Sequence, residues 1–98
     1  MIYAVMFEDE ADRIDVRPKH MPDHLSFLER HASSIQAAGP LKDTASGNSA
    51  GGLWMVTADS PEAVRSLVEA DPFWPTGLRK SVRILEWTQV FSNGERLL

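Results

Sequence analysis

The chain predicts an α+β fold in which a four-stranded antiparallel sheet carries two helices on one face, in the order β-α-β-β-α-β. Three observations predict it. Four apolar runs carry β-branched and aromatic residues, two stretches of helical apolar spacing separate the first run from the second and the third from the fourth, and prolines and glycines gather at the joints. The length, 98 residues, suits one domain over 1–98, with a core of about 1–91 and a C-terminal tail, 92–98.

Ile2-Tyr3-Ala4-Val5-Met6-Phe7, closed by Glu8-Asp9-Glu10, is a first strand with apolar side chains on both faces. The stretch Asp9 to Lys19 is polar and charged. Pro22 then suits the first position of a helix over 22–33, since its ring fixes φ near the helical value and its missing N–H costs nothing there. Leu25, Leu28, Ala32 and Ile35 would form the buried stripe of that helix, while Asp23, Glu29 and Arg30 fall away from it. Ile35 to Leu41, ending in Gly39-Pro40, reads as a second strand at a sheet edge, where proline is tolerated.

Lys42 to Gly52, with Gly47, Gly51 and Gly52, reads as a flexible loop, and Leu53 to Ala58 as a third strand, again apolar on both faces. Asp59-Ser60-Pro61-Glu62 is a helix start. Ser60 is placed to cap it, Pro61 fits the first position, and Glu62 sits at the positive end of the helix dipole. Ala63, Val64, Leu67 and Val68 make its buried stripe, up to Ala70. Two prolines and a glycine between Asp71 and Gly77 permit only a turn. Ser81 to Phe91 is the fourth strand, with a slip of apolar phase between Ile84 and Leu85 that predicts a bulge. Ser92 to Leu98 carry no clear assignment. This order is the split pattern of a ferredoxin-like sandwich.

Two helices cover only one face of such a sheet, yet the first and third strands offer large apolar side chains to both. A homodimer that packs two sheets face to face would cover the second face. The alternative is that the long loop or the tail folds over it. Composition narrows the other partners. Fourteen acidic against ten scattered basic residues give a net charge of −4 and a pI near 5.2, which argues against nucleic acid. The absence of cysteine excludes disulfides, thiolate catalysis and Cys-ligated zinc. No basic leader with a cleavage site precedes the first strand, and no apolar run approaches the ~20 residues of a membrane span. A cytoplasmic protein without membrane contact is expected.

The ionisable groups concentrate in Arg17-Pro18-Lys19-His20-Met21-Pro22-Asp23-His24, and His20, His24 and His31 all lie within twelve residues. On a continuous helix His20 and His24 would share a face, as metal ligands do. Pro22, however, disfavours helical geometry at Met21, and no third ligand has a suitable spacing, so no metal site is expected. His31 reads as a boundary histidine near the helix end. Asp71, in Ala70-Asp71-Pro72-Phe73-Trp74, is either ordinary turn chemistry after a helix or a carboxylate in a small pocket wall. Phe73 fits that wall or the core, and Trp74 its rim. Gly39-Pro40 allows either close backbone approach to a ligand or a tight strand end.

Taken together, the first strand, Arg17-Pro18-Lys19-His20 with His24-Leu25-Ser26-Phe27-Leu28, Ala38-Gly39-Pro40-Leu41, Asp71-Pro72-Phe73 with Gly77-Leu78, and Val82-Arg83-Ile84 resemble the YciI-like (YCII-related) proteins. The resemblance extends to about Phe91. It implies a ferredoxin-like fold of the dimeric α/β-barrel type, beside muconolactone isomerase-like proteins and cofactor-free monooxygenases. One branch of the family dehydrochlorinates chlorinated hydroxyhydroquinones. The family's histidine at the start of a His-Leu-x-x-Leu helix corresponds to His24, and the aspartate of its Asp-Pro-Phe turn to Asp71. The chain departs from the pattern in the short, glycine-free connection Ala32-Ser33-Ser34 and in the additional His20, which leaves two rings as candidates.

The resemblance thus implies a catalytic pair, His24 as base and Asp71 as its orienting carboxylate. Arg17 or Lys19 would hold a substrate oxygen, and His20, Gly39, Pro40, Phe73 and Trp74 would line the substrate site. A histidine with a carboxylate on one ring nitrogen can accept a proton on the other and stabilise the charge it gains. A lyase or isomerase acting on a small, cyclic or aromatic molecule would need no cofactor. A non-catalytic metabolite-binding or accessory protein and a cofactor-free monooxygenase are the other readings, and fold alone does not choose among them.

Overall fold

The computed structural model describes residues 1–98. Strands β1 (Ile2–Asp9), β2 (Ile35–Lys42), β3 (Ser49–Thr57) and β4 (Arg79–Glu86) form one sheet in the order β2-β3-β1-β4, and every neighbouring pair is antiparallel. Helix α1 (Val16–Arg30) joins β1 to β2 and α2 (Pro61–Ala70) joins β3 to β4. Val5 lies in register with Trp54 on one side and Ile84 on the other. Strict alternation along β1 sends Tyr3, Val5 and Phe7 towards the helices, where they meet Trp54 and Val56 of β3, Phe27 of α1, and Val64 and Val68 of α2. Each such side chain, once fully buried, contributes about 1.5–3 kcal/mol. No helix is long and apolar enough to cross a membrane.

Helix α2 forms as its sequence predicts. Ser60 Oγ accepts a hydrogen bond from Ala63 N at 3.1 Å, Pro61 opens the helix, and Val64 and Val68, one turn apart, are buried. Helix α1 differs from expectation in both its start and its inward face. It begins at Val16, six residues before Pro22, and ends at Arg30, so Pro22 and His20 lie inside it. An interior proline removes one hydrogen bond and crowds the preceding turn. Helix α1 carries that cost because its inward side chains are tied down from Arg17 at one end to Phe27 at the other. The buried positions are His24 and Phe27, with Leu28 partly buried, whereas Leu25 is 49% exposed. Ala32 and Ile35 lie beyond the helix, and Ile35 opens β2.

The expected loop over 42–52 is shorter, because β3 already begins at Ser49. Gly51 belongs to that strand with φ +91°, and a Cβ there would stand 1.8 Å from the carbonyl oxygen of Phe7, so only glycine fits. The fourth strand is also shorter than predicted and carries no bulge between Ile84 and Leu85. Pairing runs unbroken from Glu86 opposite Tyr3 to Ser81 opposite Glu8, and the one shift lies between Glu8 and Asp9. Ile84 and Leu85 are both apolar because each of the two sheet faces asks for an apolar residue. The tail closes into a small hairpin, β5 (Phe91–Ser92) and β6 (Glu95–Arg96), around Asn93 and Gly94, both at positive φ.

The face away from the helices presents Ala4, Met6, Leu53, Met55 and Leu85. The segment after β4 returns over part of it. Trp87 adjoins Leu53, and the Gln89 amide reaches the Met55 sulfur at 3.9 Å. Leu85 and Trp87 remain 39% and 46% exposed.

Candidate active site

A cleft of about 110 Å³ opens between α1 and the β2–β3 side of the sheet. Arg17, Met21, His24 and Leu28 recur at spacings of four, three and four residues and form its helical wall, with Leu25 beside them. Ala38, Gly39 and Pro40 come from β2, Gly52 and Trp54 from β3, and Arg79 from the start of β4. The continuity of α1 through Pro22 is what aligns the first of these side chains with the last.

His24 is buried, and its Nδ1 lies 2.7 Å from Asp71 Oδ1. An ionised carboxylate only accepts, so Nδ1 carries the hydrogen and donates it, which leaves the Nε2 lone pair free in the neutral ring. Nε2 has no hydrogen-bond partner in the protein, and His24 borders the cleft. Phe73 stacks on the imidazole with centroids 4.3 Å apart and an interplanar angle of 27°. Ring orientation is therefore fixed from the edge by Asp71 and from the face by Phe73.

Asp71 is held by the turn that follows α2. Its backbone N–H donates to Val68 O, its carbonyl accepts from Trp74 N, and its Oδ1 accepts from Phe73 N at 3.3 Å. Such a carboxylate-to-backbone turn, stiffened by Pro72, points the side chain inward, where it is 2% exposed. Gly77, at φ +79°, then redirects the chain into β4.

The second charged group of the site is Asp9 with two guanidiniums. Arg17 Nη2 and Nε donate to Asp9 Oδ2 at 2.6 and 3.1 Å, and Arg79 Nη1 donates to Asp9 Oδ1 at 3.1 Å. Arg79 Nη2 lies 3.7 Å from Asp71 Oδ2, so the arginine stands between the two carboxylates. The Arg79 side chain is 4% exposed and its guanidinium lies 4.0 Å from the centre of the Phe7 ring. Burial lowers its pKa, and Arg17 pushes the same way, while Asp9 and Asp71 oppose the shift. A guanidinium nevertheless stays charged in proteins.

Of the residues the sequence singled out, Arg17, His24, Gly39 and Pro40 border the cleft and Asp71 lies behind His24. His20, Phe73 and Trp74 do not border it, nor does Lys19. His20 sits on α1 rather than in a loop, one turn from His24, whose Nδ1 is already engaged by Asp71. Phe73 is fully buried, a support for the imidazole rather than a wall. Trp74 packs against the outer core, with the Arg65 guanidinium 5.0 Å from its ring centre. His31 ends α1 and lies 4.6 Å from the Phe27 ring.

Asp9, Met21, Gly52, Trp54 and Arg79 were not anticipated. The topology held a signal for two of them. In this strand order the end of β1 lies beside the start of β4, and Asp9 and Arg79 are register partners of opposite charge.

The fold and site together define a small ferredoxin-like α+β protein with a histidine–carboxylate pair at the back of a cleft. The sequence profile of the YCII-related domain matches residues 1–88, and the chain belongs to that family. It is similar to Protein YciI of Escherichia coli O6:H1 and to Protein YciI of Shigella flexneri, each 26% identical, in alignments that cover 93% of this chain and 100% of each relative. Among solved structures, 5-chloro-2-hydroxyhydroquinone dehydrochlorinase (TftG) from Burkholderia phenoliruptrix, in complex with 2,5-dihydroxybenzoquinone, matches with a TM-score of 0.78 and 28% identity, covering 90% of this chain and 94% of that one.

Proposed function

We propose that the protein is a cofactor-independent lyase or isomerase of small ring molecules, in which His24 Nε2 moves the proton and Asp71 positions the imidazole. The observation that carries this reading is the buried 2.7 Å contact between His24 Nδ1 and Asp71 Oδ1, with the opposite ring nitrogen unpartnered beside a cleft. Elimination or proton transfer needs a base at one substrate atom and a cation near the oxygen that gains charge. Nε2 serves as the first, and Arg17 supplies the second. The dehydrochlorinase similarity suggests elimination, in which a substrate proton passes to Nε2 and chloride leaves with its bonding electron pair.

Chloride release from 5-chloro-2-hydroxyhydroquinone tests elimination, and hydrogen–deuterium exchange into enolisable cyclic ketones tests isomerase-type chemistry. His24→Gln and Asp71→Asn are expected to lower the rate by about 10²- to 10⁴-fold while circular dichroism stays unchanged. Asp71→Asn should act on kcat more than on KM, because Asp71 touches the imidazole and not the substrate. Full activity in both variants would refute the assignment. Ligand binding without turnover would favour a metabolite-binding role, and oxygen consumption would favour a monooxygenase.

The same reading includes a homodimer of the α/β-barrel type, supported by the apolar side chains on the face away from the helices. Light scattering is expected to give twice the chain mass of 10.9 kDa. A single-chain mass at micromolar concentration would overturn it.

A further inference from the structure

We infer that Arg79 and Arg17 form an oxyanion-binding site on the floor of the cleft, and that the substrates are ring molecules carrying a negatively charged oxygen, an enolate, phenolate or carboxylate. The inference rests on the cleft being the substrate site. Three observations carry it.

The first is an unmet demand for acceptors. A guanidinium has five N–H donors, yet Arg79 makes one hydrogen bond, from Nη1 to Asp9 Oδ1. Its Nη2 stands 3.7 Å from Asp71 Oδ2, outside bonding range, and its Nε is buried with no partner at all. Arg17 spends Nε and Nη2 on Asp9 Oδ2 and has no partner for Nη1. Arg79 Nε is sealed from solvent, whereas the unpaired Arg79 Nη2 and Arg17 Nη1 are not, and cations at a buried site are normally fully hydrogen-bonded, so two under-bonded guanidiniums at one cleft point to an acceptor that arrives with the ligand.

The second is access. A Cβ on Gly52 would lie 3.5 Å from Arg79 Nη1 and 3.6 Å from Arg17 Nη2, so the glycine sits directly against both groups without a side chain to cover them. Its register partner across the β2–β3 ladder is Pro40, which also borders the cleft. Gly52 therefore leaves the cations open to a flat ligand, which can lie between Trp54 and α1.

The third is the balance of charge. Arg17 and Arg79 offset Asp9 and Asp71 while His24 is neutral. Once Nε2 takes a proton the site gains a positive charge. The oxygen that the same proton transfer leaves negative restores neutrality if it lies on the arginines, and charge-assisted bonds of this kind are the strong ones. Arg79 would then touch the reacting oxygen, and Asp9 would be the positioning residue that holds both forks.

Calorimetric titration of the intact protein with 2,5-dihydroxybenzoquinone, an anion at neutral pH, and with its neutral dimethyl analogue of similar shape tests the inference. The anion is expected to bind about ten- to a hundredfold more tightly, from hydrogen bonds to charged groups. Arg79→Met should abolish most of that preference, and Arg79→Lys should restore part of it. Should Arg79→Met fail to fold, Gly52→Ala decides, because its methyl fits at van der Waals distance and covers both guanidiniums. It should weaken anion binding about tenfold and leave the neutral analogue nearly unaffected. Equal affinity for the two probes, no anion binding at millimolar concentration, or a preference that survives in the folded variants would each overturn the inference. His24→Gln separates it from the catalytic reading: the anion preference should persist there when turnover is lost. Turnover that depends on His24 without any anion preference would refute the oxyanion site alone.

Discussion

Helices α1 and α2 pack on the same sheet face and bury different chemistry. The inward side of α2 is Val64 and Val68, with Leu67 beside them, and nothing polar. That of α1 runs from Arg17 through Met21 and His24 to Leu28, with Phe27 alone fully committed to the core. One helix supplies adhesion and the other pays for a site by giving up apolar contacts. Even so, α2 contributes to chemistry through its last residue's neighbour, because Asp71 follows its C-terminus and reaches His24. Stability should therefore be spread along α2 and concentrated at Phe27 on α1.

The largest effect expected of this contrast is at Phe27. Its ring is 1% exposed and lies against Trp54 and His31, so Phe27→Ala should cost about 3–5 kcal/mol in chemical denaturation. Because His24 is one turn away, the same variant should lose turnover beyond what unfolding explains. A loss of less than about 1 kcal/mol would mean that α1 is held by its ion pair rather than by its core residue. On α2, Val68→Ala removes two buried methyls and should cost about 2 kcal/mol, with kcat unchanged in the folded fraction. A fall in kcat there would show that the two helices are not separable in role.

How well each helix could be read follows from the same difference. Helix α2 was legible from Asp59-Ser60-Pro61-Glu62 and its apolar spacing, because local propensity and burial agree. Helix α1 was misplaced because they conflict. A helix interior is a poor place for Pro22, and the apolar Leu25 and Leu28 suggested an inward stripe where the structure buries His24 and Phe27. A histidine reads as inward-facing only when its partner is known, and Asp71 is 47 residues distant in sequence. Family resemblance pointed to both residues, whereas Asp9 and Arg79, paired at one end of the β1–β4 ladder, become visible only once the strand order is set beside their charges. The hairpin at Phe91–Arg96 was missed although Asn93-Gly94 is a strong turn signal, since the strands beside it are only two residues long.

A smaller effect tests the claim that α2 is a locally specified helix. Ser60→Ala removes the hydroxyl that accepts from Ala63 N and should cost about 1 kcal/mol, seen as a lower Tm. Since Asp71 sits at the far end of α2, activity per folded molecule should not move. If Ser60→Ala is neutral, Pro61 and tertiary packing set the helix start and the cap is incidental.

The smallest effect concerns the ion pairs the two helices make. Arg65 Nε and Glu69 Oε2 are 2.8 Å apart on the outer face of α2, in an i, i+4 pair whose side chains are 46% and 48% exposed. Arg17 and Asp9 are 2.6 Å apart with 13% and 3% exposure. Distances alone would rank the two alike. Water screens the first pair and scarcely reaches the second, so Glu69→Gln should cost only about 0.3–0.5 kcal/mol, and less as salt is raised. The Arg65 guanidinium also rests over Trp74, a contact that Glu69→Gln leaves in place. A loss above about 1 kcal/mol, or one indifferent to salt, would show that Glu69 anchors Arg65 on the Trp74 ring, and α2 would then share with α1 the use of a charged side chain to fix an aromatic one.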